Sequence, residues 1–327
     1  LVYMALFVLS SDFIFPQILS KVDSKCLWIE RDNMTDSTSV DSVFNFALKN
    51  NVNTLFVESI SNGKASYNSD VIYKDEKIDS IFDPLNYFLT KSNLYPLQIY
   101  AWFKTYLLWS EPNLPLNENH FYYSCNNCFE SDFNGKSDGE INLQLNQSKN
   151  WEGVYISPMH PQVNNYLLSI VNDLLNNYQI DGLLLDYVRY QDNFYGYNKQ
   201  GINDFVDIFS IDPRDINRGI ISTRFGYSES FIDSVNKNWN SFRENKITEL
   251  IRSIKYSILK DSLNVKLSAA VKPDYIKAKD RWYQDWMSWI NEDIIDFVII
   301  KNYSNDFNEF NYINKMIYTE ISDYIQK

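Results

Sequence analysis

A chain of 327 residues with 45% hydrophobic residues can bury one large core, and nothing in its composition points to disorder. Against 30 basic residues stand 42 acidic ones, a net charge of -12 with the cations scattered; such a field repels polyanions and sets nucleic acid aside as a partner. Aromatic residues reach 16%, and those left outside the core line grooves on which sugar rings stack, although an AT-rich genome would inflate the same residue types.

The chain starts LVYMALFVLSSDFIFPQILS, an apolar run followed by a second short apolar patch. The run is short for a bilayer, so no integral membrane span is expected. Residues 1–22 read as the remnant of a secretory signal peptide, with cleavage between residues 18 and 24 and an extracytoplasmic destination (periplasm, cell surface or medium); a buried strand is the alternative.

LWIERD (27–32) is the first predicted strand, and the spacing of Val40, Val43, Phe44, Ala47 and Leu48 predicts a helix capped by Asp36 or Ser37. VNTLFVESI (52–60) reads as a strand buried on both faces. A helix is expected from Asp83-Pro84, and LQIYAWF (97–103) is the third strand. A long polar loop is expected over about 104–158, of the kind that carries function. The fourth unit is an amphipathic helix over 161–178 and the strand IDGLLLDYVRY (180–190). After an excursion over 191–236 come a long helix, a fifth strand VKLSAAVKPD (265–274), a helix, a sixth strand IIDFVIIKNY (294–303) and a last helix.

Strands alternating with helices predict a parallel α/β architecture. The first strand carries no glycine-rich phosphate loop, which removes the dinucleotide reading of an open doubly wound sheet. What remains is a (β/α)8 barrel of the TIM type over residues 25–327, with about six of the eight units countable and the chain stopping early.

Three cysteines are present, and Cys125 and Cys128 stand in YSCNNCFE. One CxxC gives two of the four ligands of a structural zinc; His120 and an oxygen donor would complete the set, while a local disulfide suits a secreted protein. Two ordinary loop cysteines are the plainest reading. No metal and no cofactor is called for.

In a barrel, the carboxyl ends of the strands converge on one face. Strand alternation puts Gly182, Leu184 and Asp186 on one side, with Asp181, Leu183 and Leu185 on the other. Asp186 closes an apolar run and needs a partner, for which Arg189 is the nearest cation; a purely structural ion pair is the alternative. A carboxylate in a cleft serves as a glycosidic nucleophile or base, with a second carboxyl group as proton donor. Glu58, Asp274 and Asp32 compete for that second role. Glu58 ends an apolar strand, where burial would lift its pKa into the acid-donor range.

The segment HPQVNNYLLSIVNDLLNNYQIDGLLLDYVRY resembles the signature of the glycosyl-hydrolase-like family 10 proteins. So do CLWIERDN, VNTLFVESISNGKASYNS, DPLNYF, IYAWF, GYNKQGINDFVDIFSIDP, WNSFRENKITELI, LSAAVKPD and RWYQDWMSWINEDIIDFVIIKNYSND, in the expected order from residue 25 to roughly 310. The resemblance implies a barrel akin to the α-amylase type, acting on envelope glycans such as peptidoglycan or on another polysaccharide, with Asp186 as the leading catalytic residue. It implies a cleft lined by Glu58, Tyr67, Trp102, Asp186, Tyr187, Arg189, Asn302 and Tyr303, with Tyr67, Trp102 and Tyr303 as stacking platforms; Asp274 joins them from the strand-end scan. Leu184 stands where amylases have Arg, the fifth strand lacks their Glu, and Ile300-Lys301 replaces the usual Pro-Met of relatives. The missing acid leaves a second possibility, a barrel that binds glycans without cleaving them.

Overall fold

The structure is a computed structural model that describes residues 24–143 and 151–325; the expected signal peptide remnant lies outside the described residues. Among the described residues nine strands form: β1 (Cys26–Ile29), β2 (Thr54–Ser61), β3 (Lys64–Ala65), β4 (Gln98–Lys104), β5 (Leu107–Trp109), β6 (Val154–Tyr155), β7 (Gly182–Asp186), β8 (Lys266–Val271) and β9 (Phe297–Ile300). The helices are α1 (Ser37–Lys49), α2 (Pro84–Ser92), α3 (Phe121–Ser124), α4 (Pro161–Asn177), α5 (Lys199–Phe209), α6 (Arg214–Asn217), α7 (Glu229–Lys260), α8 (Tyr275–Trp282), α9 (Trp286–Asn291) and α10 (Phe307–Ile325). Asp36 caps α1 by accepting from the Ser39 backbone N–H, and Pro84 opens α2 behind an Asp83 cap.

The six strands expected from sequence are β1, β2, β4, β7, β8 and β9, and they pair in that order, parallel throughout. Spatial order that follows chain order is the winding of a barrel; a doubly wound sheet reverses direction partway. The sheet is curled. Three strand spacings separate β4 from β9, roughly 14 Å in a flat sheet, yet the rings of Tyr100 and Phe297 lie 5.8 Å apart. Lys301, just past β9, brings its ammonium 5.8 Å from the ring of Trp28 on β1. Among the described residues this makes a parallel half-barrel of six strands, where eight would close it.

Two apolar layers result, as strand alternation requires. Leu183 and Leu185 face outward into the large core beneath the helices, where Val163, Leu167, Ile170 and Leu174 of α4 pack with Ile247, Ile251 and Ile254 of α7. Leu184 faces inward with Phe56, Tyr100, Trp102, Ala270, Phe297 and Ile299. Gly182 has a specific task there: a Cβ would sit 2.1 Å from Tyr100 Cε1, so only glycine admits that ring to the barrel floor.

The described part of the segment expected as a long loop is more ordered than its polar composition suggested. It contains α3 and the antiparallel pair of β5 with β6, which folds over the strand ends. The long helix also starts earlier than expected, at Glu229 behind a Ser228 cap.

Candidate active site

Two residues beyond the inward apolar layer, the same alternation carries Glu58, Lys104, Asp186, Lys272 and Lys301 to the carboxyl end of the half-barrel. Asp186 is the buried centre of this ring, 3% exposed. Its Oδ2 accepts from Trp102 Nε1 at 3.2 Å and its Oδ1 from its neighbour's backbone N–H, Tyr187, at 2.8 Å. The Lys301 ammonium donates to both oxygens, at 2.5 and 2.7 Å. Tyr187 takes a left-handed backbone, with φ at 52°, a conformation disfavoured for a residue with a side chain. Hydrogen bonds from Thr105 N to Asp186 O and from Tyr106 N to Tyr187 O hold the turn in place.

The expected partnership of Asp186 with Arg189 is not formed. Arg189 turns away and grips both oxygens of Glu152 at 2.7 Å, with Tyr155 and Tyr187 against its guanidinium plane. Both contacts come from Nη2, while Nη1 donates to the Tyr190 carbonyl at 2.9 Å; the ammonium of Lys301 reaches Asp186 from the end of β9, over the intervening β8. Glu152 also accepts from the Tyr155 hydroxyl at 2.7 Å. Burial pushes the Glu152 pKa up, but the Arg189 charge and these hydrogen bonds outweigh it and leave the carboxyl below its ordinary range. Beside it Gly153 takes a positive φ of 144°, and a Cβ there would stand 2.4 Å from the Trp109 carbonyl oxygen.

Asp186, Glu152, Arg189, Lys272, Lys301, Gln284, Tyr187 and Tyr303 line a cavity of about 140 Å³. It adjoins a second of about 330 Å³ that shares Glu152 and Arg189 and adds Asp138, Trp151, Gln191 and Trp282. Asp138 accepts from Tyr155 N at 2.8 Å and Gln191 Nε2 at 2.5 Å. Burial, reinforced by the charge of Glu130, holds its pKa well above the usual carboxylate range. Lys272 is pushed down to about 8 by burial and by the like charges of Arg189 and Lys301.

Several expected site residues are placed elsewhere. Glu58 binds Lys104 Nζ at 2.8 Å and the Arg31 backbone N–H at 3.1 Å, and does not line either cavity. Burial raises its pKa, yet Lys104 and Ser61 more than reverse this, so it sits below its ordinary value and is no acid donor. Tyr67 is fully buried edge-on against Tyr178, away from the cleft. Trp102 is 7% exposed and crossed edge-on by Trp28; it positions Asp186 and offers no face to a sugar. Asp274 caps α8, accepting from Lys277 N. Asn302 donates to the Phe310 carbonyl and Asn314 Oδ1, tying β9 to α10. Tyr303 lines the cavity and is 58% exposed, as a platform requires. Glu152 and Gln284 were missed. Neither has a periodic signal, and both lie outside the strand ends where the sequence search was made.

Cys125 and Cys128 form a disulfide. His120 is not beside it: its Nε2 meets the Asn62 carbonyl at 2.8 Å and its Nδ1 accepts from Tyr122 N. The neighbour is His160, Nδ1 3.4 Å from Cys128 Sγ, so the alternative zinc set with His120 is not assembled, and the two cysteines are bonded where the plainest sequence reading left them free. No helix among the described residues is long and apolar enough to cross a membrane.

No curated protein matches the sequence. Among solved structures the chain is similar in fold to the glycoside hydrolase domain of PgaB (BpsB) from Bordetella bronchiseptica, with a TM-score of 0.59 at 12% identity, covering 84% of this chain and 73% of that one. It is also similar to the β-galactosidase from Bacillus circulans sp. alkalophilus, with a TM-score of 0.52 at 10% identity, covering 86% of this chain and 41% of that one. The family described as Glycosyl hydrolase-like 10 matches over residues 19–323. With the half-barrel, the acid at the end of its fourth parallel strand and this match in place, the chain belongs to the glycosyl hydrolase-like 10 family.

Proposed function

We propose that the chain is a glycoside hydrolase cleaving O-glycosyl bonds of a cell-envelope glycan, peptidoglycan in the first instance, or of another polysaccharide. The observation that carries this reading is the pair of carboxylates, Asp186 and Glu152, on one cavity at the strand ends. Asp186 acts as nucleophile or base, and Glu152, held ionised by Arg189 on the same cavity, is a second negative charge facing the sugar and not the proton donor. Asp138, which burial favours in the protonated form, is the proton donor of this reading, reaching the leaving oxygen from the adjoining cavity. Tyr303 supplies a stacking face at the mouth. An extracytoplasmic site of action is supported by the Cys125–Cys128 disulfide, a bond that persists in oxidising compartments.

The test is hydrolysis of oligosaccharides from denuded peptidoglycan and from other polysaccharides, followed by mass spectrometry. Wild type releases shorter products, and Asp186→Asn releases none while keeping the same circular dichroism and melting profile. Full turnover by a folded Asp186→Asn protein refutes the assignment. One observation favours a second reading, a glycan-binding barrel without hydrolysis: both carboxylates already hold a cation, Asp186 with Lys301 and Glu152 with Arg189. Saturable binding with no product on prolonged incubation selects that reading.

A further inference from the structure

We propose that the smaller cavity is a carboxylate-recognition subsite, in which the Lys272 ammonium beside Trp282 binds the acid group of a carboxylate-bearing sugar; this rests on the reading of the chain as acting on glycans. The charge count on the cavity wall leads there. Asp186 is matched by Lys301 and Glu152 by Arg189, each in direct contact. Lys272 is the third cation, and among the described residues it makes no ion pair. Its ammonium lies 4.8 Å from the centre of the Trp282 ring, and its backbone N–H is fixed by Gln284 Oε1 at 2.9 Å.

Lys272 is half-buried, and partial removal of an unpaired cation from water is unfavourable, while a chain with 42 acidic residues has ample means to pair one. Here the overall charge is -12 while this cavity carries three cations against two carboxylates. The excess is therefore local and positive, on the wall that a bound ligand would touch. An anionic ligand completes it. A neutral sugar would leave Lys272 desolvated with only an aromatic ring for company, which recovers part of the lost hydration. Sugars that carry the required group include a muramic residue, through its lactyl ether acid, and a hexuronic acid.

The groups that set the charge of Lys272 are Asp186, Arg189, Glu152 and Lys301, with Gln284 and Trp282 as neutral contacts. Because Lys272 is half-charged near pH 8, an incoming carboxylate draws a proton onto it. A lysine with a purely structural role would show no such uptake.

The experiment is calorimetry with the full chain and three probes: an oligosaccharide alternating N-acetylglucosamine and N-acetylmuramic acid, the same compound with its carboxyl groups amidated, and a hexuronate oligosaccharide. Each titration at pH 8 is run in two buffers of different ionisation enthalpy, and products are then sought by mass spectrometry. The expected result is at least about tenfold tighter binding of an acidic probe than of the amidated one, with net proton uptake. Lys272→Met removes the preference and the uptake, and Lys272→Arg keeps the preference without the uptake. Should the Met variant fail to fold, the Arg variant and the buffer comparison still decide. A tighter muramic probe assigns the lactyl acid, a tighter hexuronate probe the uronic acid, and either supports the subsite. Equal affinity for the acidic and amidated probes overturns it, even if both are cleaved. Preference for an acidic probe that is never cleaved leaves the subsite standing and removes the hydrolase reading.

Discussion

Lys301 reaches over β8 from the end of β9 and closes on both oxygens of Asp186, the last residue of β7. The pair is nearly dry, with the two side chains 19% and 4% exposed, so removing one partner strands the other. Lys301→Met is expected to lower stability by about 2 kcal/mol, measured by urea unfolding. The Lys301→Met/Asp186→Asn double variant then recovers part of that loss, because no carboxylate is left uncompensated. Additivity within about 0.5 kcal/mol would show that the two groups are not coupled.

Arg189→Lys tests the double hold of Arg189, whose Nη2 meets both Glu152 oxygens while Nη1 donates to the Tyr190 carbonyl. Lysine keeps the charge but has one nitrogen and cannot make both contacts at once. The expected outcome is a fall of at least about tenfold in kcat/KM on a cleaved oligosaccharide, with the melting temperature little changed. Unaltered kcat/KM would remove Glu152 from the chemistry.

Glu130 gives a pH dependence with a definite sign. Fully buried, it accepts from the backbone N–H groups of Ser131 and Gly196, and burial lifts its pKa to about 7. The native state holds the proton that the unfolded chain releases between about 4.5 and 7. Its contribution to stability is therefore complete at low pH and fades as pH rises through that window. Glu130→Gln keeps the shape and is expected to flatten this fall, by up to about 3 kcal/mol between pH 4.5 and 8. Parallel urea midpoints across pH for the two proteins check it, and identical slopes count against it.

The Cys125–Cys128 bond closes a loop of only two intervening residues, and short loops restrict the unfolded chain least. Reduction is expected to cost no more than about 2 kcal/mol. Unfolding with and without dithiothreitol gives the value, and alkylation under non-reducing conditions should modify Cys26 alone once the protein is unfolded.

The strands were legible because each is an apolar run bounded by polar turns, and the parity of Gly182, Leu184 and Asp186 was enough to aim Asp186 inward. The same parity, carried to Phe297 and Ile299, points Lys301 at Asp186; the departure from the family's Pro-Met at that position was visible in sequence, its partner was not. Arg189 was misjudged because three residues in sequence suggest contact, whereas the left-handed turn at Tyr187 swings it toward Glu152. Glu58 was misjudged because an apolar strand predicts burial but says nothing of Lys104 on the neighbouring strand. Trp102 and Tyr67 look alike as candidate platforms, and only packing shows that both are inside.

Tyr187 sets two demands against each other. Its backbone, at φ 52°, is one that glycine adopts freely, while its ring lies beside the guanidinium of Arg189 and the ammonium of Lys301. A search for sturdier variants guided by backbone preference alone would choose glycine there. It would relax the turn and strip the aromatic wall from the cleft, exchanging performance for durability at the very residue that follows the central acid.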